Sequence, residues 1–465
     1  MPSVYRTKSH FSLVCARGRK QILAVRFLYL VLSSIFFSQF NTHQKQPKGD
    51  NMRKILLATT ALVGFVAAGA AQAAPATSPV TVNVGGSVDF VAGAFHEAAK
   101  SQPVASDLAS SDFETLYDLD FSVAGKSNNG IQYGGLLSLN NNSDISNSFN
   151  GQSDGLEVTT ADLFLSGAFG KVQLGDSHGA TDLALTAPTV GEGQVEGRYV
   201  DFLDTSSFAK NFVYGVDVTD HSTNITYFTP KVGNESNKVQ VAVSYIPNFY
   251  NYGSSIVHIN NDSSSSTTSG TDHLSPYKDV VKGAINYTGN IAPVAIAASA
   301  HIITGTADQS SLGNSGWLSS SLVSGAANKV QDFTAWGLGA QAALNGFTFG
   351  VTYLDQGHYD MIATQTKDQH QYAAGLKYEF SKYAVGASYL GGEGYDNMLN
   401  TTINNGATGN NLNYVKNFNT EGLGGAYSWA PGLTTNLDGV LFQQDTEGAR
   451  ENDGYVLLVS QKLAF

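Results

Sequence analysis

From about residue 80 to Phe465, the chain repeats stretches of about ten residues in which apolar side chains alternate with polar or small ones. Strict alternation places every second side chain on one face of a β-sheet. Short connections between the stretches alternate with long ones, so the long loops all lie at one end of the sheet. In a barrel that crosses a membrane, the apolar face meets lipid and the polar face lines water. The pattern therefore predicts a transmembrane antiparallel β-barrel rather than a soluble sandwich.

Sixteen strands are predicted from this alternation, with Gly and Asn in the short turns between them. The sixth strand is the least regular, and residues 211–218 could replace or precede it. The predicted strands are 81–95, 116–126, 131–140, 157–169, 171–177, 223–229, 238–246, 278–287, 294–304, 332–343, 347–356, 369–380, 383–390, 420–429, 433–445 and 455–465.

Aromatic residues gather near the ends of these strands, where amphipathic rings favour the boundary between lipid and water. Backbone polar groups inside a membrane must all be paired, so the predicted sheet must close on itself. The aromatic residues concerned are Tyr133, Tyr245, Tyr287, Trp336, Tyr353, Tyr378, Phe380, Tyr383, Tyr389, Tyr427 and Trp429.

Residues 52–73 have the three parts of a secretory signal peptide. Arg53 and Lys54 supply the positive charge, residues 55–71 are apolar, and residues 71–73 read Ala-Gln-Ala before Ala74. We therefore expect residues 74–465 to form the mature outer-membrane barrel. Residues 1–51 are basic and lie upstream of this signal, so we expect translation to start at Met52 and residues 1–51 to be a misassigned extension. An uncleaved anchor is the alternative, although the apolar run 27–37 is short for a spanning helix.

The predicted mature chain is strongly acidic. Residues 1–73 contain ten of the 26 basic residues and one of the 38 acidic ones, so residues 74–465 carry 16 basic against 37 acidic residues, a formal net charge of −21. Such a charge repels nucleic acid and attracts cations. The only cysteine is Cys15, which excludes disulfides and thiolate metal sites from the mature chain, and the histidines show no metal-ligand spacing. No catalytic residue, metal or cofactor is predicted.

Three segments resemble the general porins of Gram-negative outer membranes. Residues 162–176, DLFLSGAFGKVQLGD, resemble the hairpin before the third loop of those porins, and residues 225–230 resemble the strand after that loop. Residues 455–465 resemble the closing strand, whose terminal aromatic residue, here Phe465, is recognised by the barrel-assembly machinery; Gln461 departs from the apolar face. The resemblance implies a homotrimer of 16-stranded barrels in outer-membrane lipid, each with its third loop folded into the lumen.

If the third loop, residues 178–210, narrows the pore, then its charges bias the ions that pass. Its charged candidates are Asp182, Glu192, Glu196, Arg198, Asp201 and Asp204. In the family, the acids of this loop face basic side chains on the barrel wall. Here the predicted inward bases are only Lys126, Lys282 and Lys377, and no arginine lies on any predicted strand. We therefore expect a channel for passive diffusion of small hydrophilic solutes and ions that prefers cations.

Three other functions remain open at this stage. A sugar-selective channel would need an aromatic ladder along the lumen, whereas the predicted lumen face is mostly Gly, Ala, Ser, Thr and Gln. A hydrolase carried by the barrel could use one of the strand serines, Ser166, Ser244, Ser299 and Ser388. An adhesin would suit the long loops rich in Ser, Asn and Thr. Ion conductance in a planar bilayer distinguishes a channel from the last two.

Overall fold

In the computed structural model, the described part of the chain belongs to the unit Ala74–Phe465. The predicted extension 1–51 and the signal peptide 52–73 lie outside the described residues. Within the described part, no helix has the length and apolarity needed to cross a membrane. The described residues are 80–98, 110–141, 157–191, 197–203, 217–218, 222–249, 277–307, 330–359, 361, 363, 365–395, 414–447 and 451–465.

Seventeen strand segments make up the described fold, and all of them belong to one antiparallel sheet. They are β1 (Thr81–Glu97), β2 (Ser111–Lys126), β3 (Gln132–Asn140), β4 (Glu157–Gly167), β5 (Gly170–Asp176), β6 (Thr223–Phe228), β7 (Val232–Gly233), β8 (Asn237–Asn248), β9 (Tyr277–Ile291), β10 (Val294–Ala307), β11 (Phe333–Leu344), β12 (Phe347–Asp355), β13 (His370–Phe380), β14 (Tyr383–Tyr395), β15 (Tyr414–Ala430), β16 (Leu433–Thr446) and β17 (Asn452–Ala464).

The sheet closes into a barrel because β1 pairs with both β2 and β17. At the seam, the N–H of Gly86 donates to the carbonyl of Phe465, and the N–H of Phe465 donates to the carbonyl of Gly86, both at 3.0 Å. Segments β6 and β7 both pair with β8 and are separated by Pro230, which has no N–H to donate. They therefore form one interrupted strand, and the predicted sixteen-stranded barrel is confirmed.

The two faces of the sheet alternate as the sequence predicts. On β12, Phe347, Phe349 and Val351 are at least 40 % exposed on the outside, while Gly350 between them is buried on the inside. Several of the predicted boundary aromatics contact one another near the hairpin turns, with ring centroids 5.1 Å apart for Tyr378 and Phe380 and 4.7 Å apart for Tyr427 and Trp429. The outside of the barrel is therefore an apolar band, whereas the inward residues are polar, small or packed in buried apolar clusters.

The turns show why the two ends of the barrel differ. Asn345 and Gly346 both have positive φ, 50° and 85°, and join β11 to β12 in a two-residue hairpin. Such turns match the twist of the flanking strands. We call this end of the barrel the turn end and the opposite end, where the long connections lie, the loop end.

Candidate pore constriction

The third loop connects β5 to β6 and begins by folding against the inner wall. Residues Gly179–Leu183 form a 3₁₀ helix, and its Ala180 is fully buried against Phe228, Ala242 and Ala284 of three successive strands. Gly179 has φ of 66°, and a Cβ there would collide with the hydroxyl of Ser244. A glycine is therefore required for the loop to turn inward at this point.

From this helix onward, hydrogen bonds from four neighbouring strands hold the backbone of the loop. Each wall side chain contacts a loop N–H or carbonyl, so these four bonds do not depend on the side chains of the loop. Ser244 of β8 accepts from the N–H of Ala180 (2.6 Å), Asn286 of β9 donates to the carbonyl of Leu183 (2.9 Å), Ser299 of β10 accepts from the N–H of Leu185 (2.9 Å), and Gln341 of β11 donates to the carbonyl of Thr186 (2.7 Å). We call these four bonds the polar ladder.

Inward-facing glycines continue this path across β12, β13 and β14. A Cβ at Gly350 or Gly375 would lie within 3.0 Å of Pro188, and one at Gly386 would lie 3.0 Å from Val190. Any larger side chain at Gly375 would meet the carbonyl of Pro188, which is backbone and cannot rotate away. The absence of side chains therefore lets the loop lie directly on the wall.

A second 3₁₀ helix, Arg198–Phe202, attaches the far part of the loop. Tyr199 is fully buried, and Phe202 packs 6.1 Å from Phe95 while lying against Gly93 of β1. These rings belong to an apolar cluster with inward residues of β1, β2 and β13–β17. The described parts of the loop thus lie along the inner wall from β6 round to β1.

A buried ion pair joins the beginning and the end of the third loop. The Nζ of Lys282, on β9, lies 2.7 Å from Asp217 Oδ2 and 2.9 Å from the carbonyl of His178. Asp217 also accepts a hydrogen bond from the hydroxyl of Thr181. Sequence reasoning placed Lys282 correctly on the inner face but as a base exposed to the pore; its side chain is 0 % exposed and lies beneath the loop.

The other two predicted wall bases, Lys377 and Lys126, also do not form a ring of exposed basic side chains opposite the loop. Lys377 faces inward beside Gly386, and its Nζ lies 3.2 Å from Glu379. Lys126 is exposed on the last residue of β2, at the turn end.

The described charges of the loop lie on its two 3₁₀ helices. Asp182 is exposed on the first helix, and desolvation raises the pKa of its carboxyl against the opposing effect of His178 and Lys171. Arg198 and Asp201, on the second helix, lie 3.6 Å apart. Glu192, Glu196 and Asp204 lie outside the described residues.

The wall beside the loop carries acids that the sequence analysis did not select. Asp118 and Asp120 face inward on β2, and Asp162 faces inward two strands away on β4. Asp118 accepts a hydrogen bond from Ser87 at 3.2 Å, Asp120 from the hydroxyl of Ser138, and Asp162 from the amide of Gln173. The spacing Asp118-Leu119-Asp120 is the signal that could have revealed them, because it puts two carboxylates on the polar face of a predicted strand.

Within the described ranges, no group of three or more His, Cys, Asp or Glu side chains could hold a metal ion. His301, which the sequence places well within a predicted strand, faces inward and is only 5 % exposed.

Comparisons with known proteins place this barrel in a family. The family described as Gram-negative porin matches residues 58–447. Among solved structures, a loop-deletion mutant of OmpT, an outer membrane protein of Vibrio cholerae, is 11 % identical with a TM-score of 0.49, and a mutant of the Rhodopseudomonas blastica porin is 11 % identical with a TM-score of 0.45. Each comparison covers 83 % of this chain and 100 % of the other. No curated protein sequence matches significantly. Because the family match extends over most of the chain, the protein belongs to the Gram-negative porin family.

Proposed function

We propose that this porin is a water-filled channel for passive diffusion of small hydrophilic solutes and ions and that it prefers cations. Family membership supports an outer-membrane channel. The observation that carries the ion preference is the acidic wall of β2–β4, which lies beside a third loop docked inside the barrel. A carboxylate about 7 Å from the ion path contributes about 0.6 kcal/mol in water, which raises the local cation concentration about threefold.

Mutation of two sets of acids tests this preference. One variant neutralises Asp118, Asp120 and Asp162 to Asn, and Glu421→Gln is the matched control, because its carboxylate is exposed on the outward face of β15. The reversal potential is measured in a KCl gradient. We expect cation preference to fall in the triple variant and to stay unchanged in the control, most clearly at low salt, where the Debye length is about 10 Å.

The second set is in the third loop itself. Glu192, Glu196, Asp201 and Asp204 are neutralised together to Gln or Asn. A fall in cation preference would support the proposed role of this loop in the constriction. An anion-selective wild type, or a reversal potential unaffected by both sets, would refute the proposed charge selectivity.

Two of the alternative functions are less well supported by the inner wall. Four aromatic rings in the described residues, Phe249, Tyr277, Phe333 and Tyr359, pack together with centroids 4.6–6.1 Å apart, so these rings do not form a ladder along the lumen. Of the serines considered for a hydrolase, Ser244 and Ser299 are hydrogen-bonded to the third loop. The adhesin alternative rests on loops that lie mostly outside the described residues, and conductance tests it.

We also propose that three copies associate through the side of the barrel where the strands are shortest, at β5 and β6. Strand β5 has 7 residues and β6 has 6, against 15 in β9 and 17 in β15. Seven residues rise about 23 Å along a strand, or about 17 Å along the axis at the usual tilt, which is less than the apolar band of about 25 Å. A neighbouring copy would cover this wall, where Leu163 is 66 % exposed.

Bulky substitutions on the outside test the assembly. Leu163→Trp should dissociate the homotrimer in mild detergent, whereas Leu437→Trp, on the outward face of β16, should leave it intact. Light scattering coupled to size exclusion measures the mass. A wild-type monomer, or a trimer that tolerates both changes equally, would contradict this interface.

A further inference from the structure

We propose that ion conduction through this porin is asymmetric, because the inward-facing charges are sorted along the pore axis. Two inward-facing charges are exceptions: Lys282 is buried beneath the third loop, and Glu379 pairs with Lys377 at the turn end. The other inward-facing lysines of the described strands lie within a few residues of the turn end, whereas the other inward-facing acids lie farther toward the loop end. The lysines are Lys126, Lys171, Lys238, Lys377 and Lys462, and the acids are Asp89, Glu97, Asp112, Glu114, Asp118, Asp120, Asp162 and Asp438. This inference rests on the proposed channel function and adds a direction to it.

Strand β2 shows the arrangement within one element. Its last residue is Lys126, while Asp120 and Asp118 lie six and eight residues earlier on the same face. Six residues rise about 20 Å along a strand, or about 15 Å along the axis of a tilted barrel. This separation exceeds the Debye length of about 10 Å at 0.1 M salt, so each zone sets the ion content of its own part of the pore.

Two of the lysines lie next to acids that compensate their charge. The basic zone is therefore formed by the remaining lysines, Lys126, Lys171 and Lys238. Lys377 pairs with Glu379 at 3.2 Å, and Lys462 lies opposite Asp89 in the register of β1 and β17. Lys126 and Lys238 form no ion pair among the described residues. Lys171 lies over the ring of Phe228, 4.2 Å from its centroid, and acts electrostatically on Asp182. It therefore marks the boundary between the basic and the acidic zones.

The expected direction follows from the motion of the mobile ions. Cations fill the acidic zone and anions fill the basic zone. When the loop side is positive, cations move inward from that side and anions move inward from the turn side, so both accumulate at the boundary and conductance is high. When the loop side is negative, both are drawn out of the pore and the boundary is depleted. The current should therefore be larger when the compartment on the loop side is positive.

Oriented channels in a planar bilayer test this proposal. Residues 74–465 contain no cysteine, so a Ser110→Cys substitution, exposed immediately before β2 at the loop end, gives a single label for orientation, reached by a membrane-impermeant thiol reagent added on the loop side. The ratio of currents at equal and opposite voltages should exceed one at 0.1 M KCl. It should approach one at 1 M, where the Debye length is about 3 Å.

Removal of the basic zone supplies the decisive comparison. The triple variant Lys126→Gln, Lys171→Gln, Lys238→Gln should lose the asymmetry and gain cation preference. Lys382→Gln is the matched control, because Lys382 lies in the hairpin turn between β13 and β14 at the same end of the barrel but off the inward face. Equal currents in oriented, cation-selective channels, or a larger current of the opposite polarity, would refute the charge sorting and leave the channel function intact. An absence of any conductance would instead refute the channel.

Discussion

The buried pair of Lys282 and Asp217 should decide whether the third loop stays docked. Lys282 projects from the wall, whereas Asp217 lies near the end of the loop and His178, whose carbonyl Lys282 also binds, lies at its beginning. The pair therefore closes the loop at its root. The perturbation we consider is Lys282→Met, which keeps the length of the side chain but removes its charge and its donors.

The magnitude follows from what the substitution leaves behind. Loss of one partner from a buried ion pair costs about 3–5 kcal/mol, because the other charge stays buried without compensation. The polar ladder supplies four hydrogen bonds of about 1 kcal/mol each. A loss of 3 kcal/mol is thus comparable with the whole ladder, and it raises the population of the undocked loop about 150-fold, since each 1.4 kcal/mol is a factor of ten.

Single-channel recording measures this change directly. Wild-type channels should show a steady current, whereas Lys282→Met channels should switch between two or more levels as the loop undocks and returns. Lys377→Met is the control, since that lysine also faces inward in an ion pair but lies on β13, away from the root of the loop. Heat-modifiable migration should be the same in all variants, because the barrel closes through β1 and β17.

A double variant separates loss of the pair from a general disturbance. Asp217→Asn neutralises the carboxylate that Lys282→Met leaves buried and keeps an acceptor for Thr181. The current of the double variant should therefore switch between levels less often than that of Lys282→Met alone. The reasoning fails if Lys282→Met channels assemble normally and conduct as steadily as the wild type. It also fails if the double variant is as noisy as the single one.

Three further expectations concern the wall, the seam and the N-terminus. Gly375→Ala should displace the third loop and alter single-channel conductance, whereas Gly425→Ala, with its nearest neighbouring atom 3.9 Å from the added Cβ, should have no effect. Deletion of Phe465 should lower the yield of folded barrel in cells, because this residue makes two seam hydrogen bonds and presents an exposed ring; unchanged assembly would contradict that role. N-terminal sequencing of the protein from outer membranes should begin at Ala74, and a start upstream of Met52 would exclude the proposed signal peptide.

The strands and their faces could be predicted because the alternation that produces them is local. Phe347, Phe349 and Val351 point outward simply because they are two residues apart on a strand. The sixth strand is predicted as the least regular, but its interruption is not predicted, although Pro230 removes a donor from the ladder there. Strand ends differ from the predicted ones: β15, for example, extends from Tyr414 to Ala430, beyond the predicted range of 420–429.

The path of the third loop could not be predicted, because its contacts connect residues far apart in the chain. The hydrogen bond from Leu185 to Ser299 spans 114 residues, and the one from Gln341 to Thr186 spans 155. Serine, asparagine and glutamine on a lumen face have no local feature that distinguishes a docking partner from a hydrated side chain. Lys282 shows this as well. The strand alternation makes its side chain point inward, which is predictable, but the third loop buries it, which is not.

In the polar ladder, the backbone of the loop binds the wall, and exposed loop side chains such as that of Asp182 take no part. Wall side chains bind loop N–H and carbonyl groups, and the wall glycine Gly375 lies against the backbone carbonyl of Pro188. The exposed carboxylate of Asp182 makes no contribution to these four bonds, so it can change without releasing the loop. Substitutions of exposed loop carboxylates such as Asp182 should therefore alter which ions pass. Substitutions of the wall, or of the loop residues Asp217, Tyr199 and Phe202 that bind it, should alter how firmly the loop is held.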